Sequence, residues 1–217
     1  MLLALDTATR AASLALHDGR QVRHEETWES ERQHTTQLVP RLVGALEGLG
    51  LRPEALTGVA VSLGPGSFTG LRVGLAVAKG LALARGLLLV GVPTLDVAAA
   101  AQGQDRRPLV AVLQAGRGRI CIATYRWRKG WQQQDGPRLT TWEEVAATLE
   151  KPTLFCGEID ERGNQALAQA GELAAAPPPA FCLRRAGFLA ELAWGRIRQN
   201  RTDDPATLAP IYLQMPT

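Results

Sequence analysis

The run Gly64-Pro-Gly-Ser-Phe-Thr-Gly70, leading straight into residues 71–84, constrains this chain more than any other feature. From 71 to 84 nearly every residue is apolar or small, and only Arg72 and Lys79 carry charge. A helix apolar around most of its circumference is buried on most sides or covered by a partner. Residues 57–63 before it read as a buried strand, and residues 87–92 after it as another. The glycine-rich turn therefore opens a helix laid against a sheet.

The rest of the chain extends that pattern. Leu2 to Leu5 is an apolar strand ending in Asp6-Thr-Ala-Thr9, residues 11–17 form a second, and Asp18-Gly19 is a hairpin signal leading into a third. Leu38, Leu42, Ala45, Leu46 and Leu49 recur at helical spacing, with Val39 and Val43 as a second apolar line. Pro40 is tolerable only near the first turn, which predicts a helix starting close to Thr36 and stopped by Gly50. The polar connector Gly103-Gln-Asp-Arg-Arg-Pro108 marks a lobe boundary, giving lobes of residues 1–102 and 103–217. Beyond it come strands near 109–113, 119–128, after Lys129-Gly130, and 153–156. Helices follow near 142–149, 161–170 and 186–199. Each half opens with adjacent strands and continues into helices, which predicts a duplicated α/β fold. The apolar tail, residues 208–213, is expected to dock, with the last segment lying back on the first lobe.

A chain of 217 residues, 46% hydrophobic and 21% charged, is neither disordered, collagen-like nor a coiled-coil rod. It has no run of about 18 apolar residues and no leader pattern, so a soluble, cytoplasmic protein with no membrane contact is expected. Its formal net charge of +3 permits nucleic-acid contact without arguing for it. Cys121, Cys156 and Cys182 are odd in number and far apart, so free thiols are expected.

Asp6, at a strand end before a Thr-Ala-Thr turn, is the clearest candidate for an active carboxylate; the plainer reading is that it caps its own turn. The glycine-rich run is either an anion site at a helix N-terminus or a close approach of backbone with Ser67 as the cap. It is neither a P-loop nor a Gly-x-Ser-x-Gly elbow. His17, His24 and His34 form no two-ligand array, so no metal site is expected. His34 could be a general base, with a capped, solvated histidine as the simpler reading. Trp127 and Trp131, flanked by Arg126, Arg128 and Lys129, could stack on nucleic acid or simply pair across a hairpin.

In this order, Leu3-Ala-Leu-Asp6-Thr-Ala-Thr9, His34-Thr-Thr-Gln-Leu-Val-Pro-Arg-Leu42, the run from Gly64 to Ala82 and Ala209-Pro-Ile-Tyr-Leu213 resemble the TsaB (YeaZ) family. That family is the partner subunit of the bacterial machinery that installs threonylcarbamoyl on the adenosine beside the tRNA anticodon. The resemblance spans residues 1–100 and is thin from 101 to 205. It implies the two-lobed actin, Hsp70 and sugar-kinase (ASKHA, RNase H-like) fold, with duplicated mixed sheets flanked by helices. It also implies a non-catalytic scaffold that binds the catalytic TsaD and, with it, the ATPase TsaE, and that meets tRNA through the complex. No cofactor is implied for the isolated chain, and ATP only within the complex. Asp6, Thr7, Thr9, Gly64, Gly66 and Ser67 would then be a vestigial phosphate turn. The superfamily's Asp-x-Gly is Asp6-Thr7-Ala8 here, and the catalytic relative's His-x-x-x-His pair has no counterpart in residues 93–101. The second-lobe segment usually reading Asp-Ala-Arg is Gln114-Ala115-Gly116.

The expected partner surface joins the helices of residues 36–49 and 67–84. It comprises Leu38, Leu42, Val43 and Leu46 from the first, and Phe68, Leu71, Gly74, Leu75, Ala78 and Leu81 from the second. Gly70, Gly74 and Ala78 form a smooth line for close helix approach. The same surface would serve a homodimer when alone and TsaD when present. The rivals are a small nucleotide-dependent kinase or ATPase using Asp6 and the turn of residues 64–70, and a peptidase, for which no nucleophile constellation exists.

Overall fold

The computed structural model describes residues 1–30 and 33–213. In chain order the elements are β1 (Leu2–Asp6), β2 (Ala11–His17), β3 (Val22–Glu29), α1 (His34–Gly48), β4 (Gly58–Gly64), α2 (Phe68–Arg85), β5 (Leu88–Pro93) and α3 (Thr94–Ala100). There follow β6 (Leu109–Gly116), β7 (Arg119–Trp127), β8 (Trp131–Thr140), α4 (Trp142–Ala147), β9 (Thr153–Gly157), α5 (Glu161–Gln169), β10 (Ala174–Ala175) and α6 (Ala186–Ile197).

The chain divides into two compact units, Met1–Val97 with Arg184–Tyr212, and Ala98–Leu183 with Leu213. The boundary thus differs from the expected lobes of 1–102 and 103–217: α6 and the tail up to Tyr212 belong to the first unit. The last four residues of that expected second lobe lie outside the described residues.

The first unit holds a five-stranded sheet in the order β3-β2-β1-β4-β5. β1, β2 and β3 pair antiparallel, and β1, β4 and β5 pair parallel. Successive side chains of a strand point to opposite faces, so β1 has two partners to satisfy. Leu3 and Leu5 pack with Leu38, Leu42 and Leu46 of α1 and Leu75 and Ala78 of α2. Leu2 and Ala4 pack with Leu189, Ala190 and Ala193 of α6. β1 is buried along its whole length because both faces are covered. The tail docks within the same unit: the Ile211 amide donates to the Leu63 carbonyl at 2.7 Å, and Leu208 and Ile211 pack against the core of α1 and α2.

The second unit repeats the topology. Its sheet runs β10-β9-β6-β7-β8, with β6, β7 and β8 antiparallel and β6, β9 and β10 parallel. Val110, Val112, Ile120, Ile122 and Phe155 pack against Trp142 and Val145 of α4. A capping box between Thr141 and Glu144 opens α4, and the Trp142 indole donates to Asp160 Oδ1, the cap of α5, at 2.9 Å. Two duplicated mixed five-stranded sheets flanked by helices are the ASKHA-type architecture implied by the family resemblance.

One local expectation changes. α1 begins at His34, so Pro40 sits inside the helix rather than in its first turn. The Thr36 carbonyl therefore receives no amide from that position. β10, only two residues long, carries too short a pattern to be read in advance.

Candidate functional site

Asp6 ends β1 fully buried. Its Oδ1 accepts the Ala8 amide at 2.9 Å, which is the turn-capping role. Its Oδ2 accepts Nε of Arg184 at 3.0 Å, and both side chains are 1% exposed or less. The same guanidinium donates to Thr9 Oγ1 at 2.6 Å and to the Ala11 carbonyl at 3.2 Å. Ser13 Oγ donates to the Arg184 carbonyl at 3.3 Å, fixing the backbone that carries the arginine. A buried carboxylate needs a counter-charge and hydrogen bonds, and here one arginine, 178 positions away, supplies both.

The glycine-rich run explains how this turn is enclosed. The Ser67 amide donates to the Ala8 carbonyl at 2.6 Å, and Thr7 Oγ1 donates to the Gly70 carbonyl at 2.7 Å. A methyl on Gly66 would strike the Ala8 carbonyl, and one on Gly70 the Thr7 carbonyl. One on Gly74 would strike Thr7 Oγ1. Ser67 caps α2 by accepting the Gly70 amide. Gly64 is at φ +115, a backbone conformation suited to glycine, with the Ile211 carbonyl where a side chain would stand. The run thus admits the Thr7–Ala8 backbone to the start of α2.

Nucleotide phosphate, which the superfamily resemblance brings to this turn, does not fit these residues. Arg184 holds the Asp6 carboxylate, Ala8 is fully buried, and the Ala8 carbonyl lies on the Ser67 amide. The vestigial set of Asp6, Thr7, Thr9, Gly64, Gly66 and Ser67 is brought together, but around protein backbone.

His34, read from sequence as a general base or a capped, solvated histidine, is not solvated. It is buried at the start of α1, whose cap position is Gln33, and its Nδ1 lacks a hydrogen-bond partner. Burial pushes its pKa down, opposed by the Asp6 charge and a hydrogen bond to the Thr9 backbone. Arg184 is the member of this cluster that sequence reasoning missed. It stands in the run Leu183-Arg184-Arg185, where nothing local separates it from its exposed neighbours.

The expected partner surface is corrected by burial. Leu38, Leu42 and Leu46 of α1 and Leu71, Gly74, Leu75 and Ala78 of α2 face their own sheet and turn. The line Gly70, Gly74 and Ala78 is therefore closed to another helix, because Thr7 already lies on it. Of the expected residues, Val43 and Phe68 are exposed and Leu81 is half-buried. Val39 is exposed as well, with Val73 and Val77 half-buried beside it.

Val39, Phe68, Val73 and Val77 border an open groove of about 560 Å³ between α1 and α2, with Thr35, Leu38, Thr69, Arg72 and Ala76 completing its walls. Arg72 stacks 3.8 Å above the Phe68 ring, and its Nε donates to the Tyr212 hydroxyl at 3.0 Å. Phe68 and Tyr212 are 5.2 Å apart, centroid to centroid. An apolar floor with one guanidinium at its end offers packing area and a directional polar contact.

In the second unit, the segment that departs from the family pattern is open to solvent. The Gln114 amide donates to Glu158 Oε2, and its side chain donates to the Glu158 carbonyl, both at 2.9 Å. All three cysteines are free; burial pushes the Cys121 thiol up to about 12 and that of Cys156 higher still. No helix among the described residues is long and apolar enough to cross a membrane.

Comparison with known proteins places this geometry in a family. Residues 26–153 match the family model "TsaD: tRNA N6-adenosine threonylcarbamoyltransferase". The tRNA threonylcarbamoyladenosine biosynthesis protein TsaB of Escherichia coli is 36% identical over 169 residues, covering 76% of this chain and 66% of that protein. Its Bacillus subtilis namesake is 29% identical, covering 72% of this chain and 70% of that protein. The solved structure of YeaZ from Pseudomonas aeruginosa is 25% identical and superposes with a TM-score of 0.80, covering 98% of this chain and 99% of that one. The chain belongs to the TsaB (YeaZ) family of tRNA threonylcarbamoyladenosine biosynthesis proteins.

Proposed function

We propose that the chain is a non-catalytic scaffold subunit for threonylcarbamoylation of the tRNA adenosine next to the anticodon. It binds the catalytic TsaD and, through that pair, the ATPase TsaE. The observation that supports this reading is the outward α1–α2 face: Val39, Val43 and Phe68 are exposed although the inward faces of both helices are already filled. A contiguous apolar groove of this kind marks an interaction site more often than an idle surface. Without TsaD, a second copy of the chain covers the same face, so the two assemblies compete.

The Asp6–Arg184 pair supports an isolated chain that neither hydrolyses ATP nor transfers threonylcarbamoyl, because the one buried carboxylate of the turn is already neutralised within the fold. The test is light scattering after size exclusion of the wild type and of Phe68→Glu with Val39→Glu, alone and with TsaD. A charge placed at an apolar contact costs about 2 kcal/mol or more, roughly thirtyfold in affinity. The variant should stay monomeric and elute apart from TsaD. A variant that still forms both assemblies would remove this face from the account.

A further inference from the structure

One end of the second unit gathers unneutralised cations around two tryptophans. The register sets Leu109 of β6 against Tyr125 of β7 and against Leu154 of β9, and sets Trp127 of β7 against Trp131 of β8. The segments 101–108, 126–132 and 148–152 therefore emerge side by side from four adjacent strands. With strands about 4.8 Å apart, they span roughly 14 Å. They carry six cations and two carboxylates, an excess of four, where the whole chain has a net charge of +3. One of those carboxylates, Asp105, is spent on Arg107, which it holds at 2.6 Å.

Among the described residues, Arg106, Arg126, Arg128, Lys129 and Lys151 form no ion pair. In the first unit, by contrast, seven arginines are paired with carboxylates. Trp127 and Trp131 pack edge to face, with centroids 5.4 Å apart, and the Trp131 indole donates to the Gln102 carbonyl at 3.2 Å. Both rings are half-buried. The ring pair and the indole hydrogen bond hold them as a platform.

We infer that this end of the second unit is a contact surface for RNA, with phosphates on the cations and an unpaired base on the tryptophan platform. Guanidinium groups suit phosphate because their fork of donors matches its oxygens and they are weakly hydrated. Aromatic rings set among cations suit a single strand, because every base has a face that can stack. A membrane surface would be met by apolar side chains that project, whereas these rings are half-buried. The inference rests on the proposed role in tRNA modification for its biological source of RNA, but not for its chemistry.

The test uses the full chain, unfractionated bacterial tRNA and filter binding at 50 and 200 mM salt. The variants are Arg128→Glu with Lys129→Glu, and Arg119→Glu at the opposite end of β7 as a control. The wild type should bind with affinity that falls steeply with salt and with quenching of tryptophan fluorescence. The double variant should lose at least about tenfold, and its salt slope should flatten by about 1.4, two single-strand phosphate contacts. Arg119→Glu should change affinity less than about twofold. Equal binding by the double variant, an equal loss in Arg119→Glu, no binding by the wild type, or binding to phosphatidylglycerol vesicles in place of tRNA would each overturn the inference. Light scattering with TsaD separates this from the proposed function. A double variant that joins TsaD normally yet binds tRNA like the wild type refutes the RNA surface alone.

Discussion

The β1–β2 turn and the β6–β7 turn hold the same place in two sheets of the same topology, and they have opposite environments. Asp6, Thr7 and Ala8 are buried, whereas Gln114 to Gly118 are exposed. In the first turn the closing groups arrive from elsewhere: the start of α2 supplies backbone, and Arg184 supplies charge. In the second, Gly116, Arg117 and Gly118 are all at positive φ, and the chain turns back on itself with Glu158 as a neighbour. A shared topology thus delivers a strand end to a position, while the elements packed around it decide whether that end becomes a sealed strut or a free loop.

The largest expected break in this comparison is Arg184→Ala, which strands the Asp6 carboxylate in the core. Chemical denaturation should show a loss of about 3–5 kcal/mol. Gln114→Ala, at the open turn, should stay within about 0.5 kcal/mol. Similar losses for both would show that the two turns are not energetically distinct.

Within α2, Gly74→Ala should cost about 1–3 kcal/mol, because the methyl meets Thr7. Gly80→Ala, where a methyl meets nothing within 4 Å, should stabilise by up to about 1 kcal/mol. Gly74→Arg should accordingly damage the fold, not merely an interface, which would appear as a lowered midpoint in the absence of any partner.

The sealed turn should also respond to pH. The His34 pKa is lowered from 6.5 in the folded state by burial, so the unfolded chain binds the proton more readily. Stability from this group is intact above pH 6.5, falls as pH drops below it, and levels off beneath the lowered folded value. In His34→Gln that part of the acid slope should vanish. An unchanged slope would place the titration elsewhere.

The smallest effect concerns the thiols. Cys121 and Cys156 are buried with raised pKa values, while Cys182 is partly exposed. Native-state alkylation at pH 8 followed by mass spectrometry should modify Cys182 first. Early labelling of Cys156 would mean that the core of the second unit opens readily.

Much of this fold was legible because its signals are local. Asp18-Gly19 marks its own turn, with Gly19 at φ +94, and the unbroken apolar run of β1 is the pattern of a strand covered on both faces. The glycine-rich run was also visible, but not its purpose, since only the arrival of Thr7 and Ala8 separates a close approach from an anion site. Arg184 was invisible because its partner lies 178 positions away. The exposure of α1 and α2 was misread for a related reason. The apolar line through Leu71, Gly74 and Ala78 is the stronger pattern, so the chain's own turn and sheet occupy it. The apolar line left exposed is the weaker one through Val39, Val43 and Phe68.

The division of α2 into an inner face used by its own unit and an outer face left for a partner is the central claim. Light scattering of the chain with TsaD tests it most directly, comparing the wild type with Phe68→Glu in α2 and Val43→Glu in α1. Both variants should keep the wild-type unfolding midpoint and lose the mass of the TsaD complex. Full complex formation by both folded variants would contradict it.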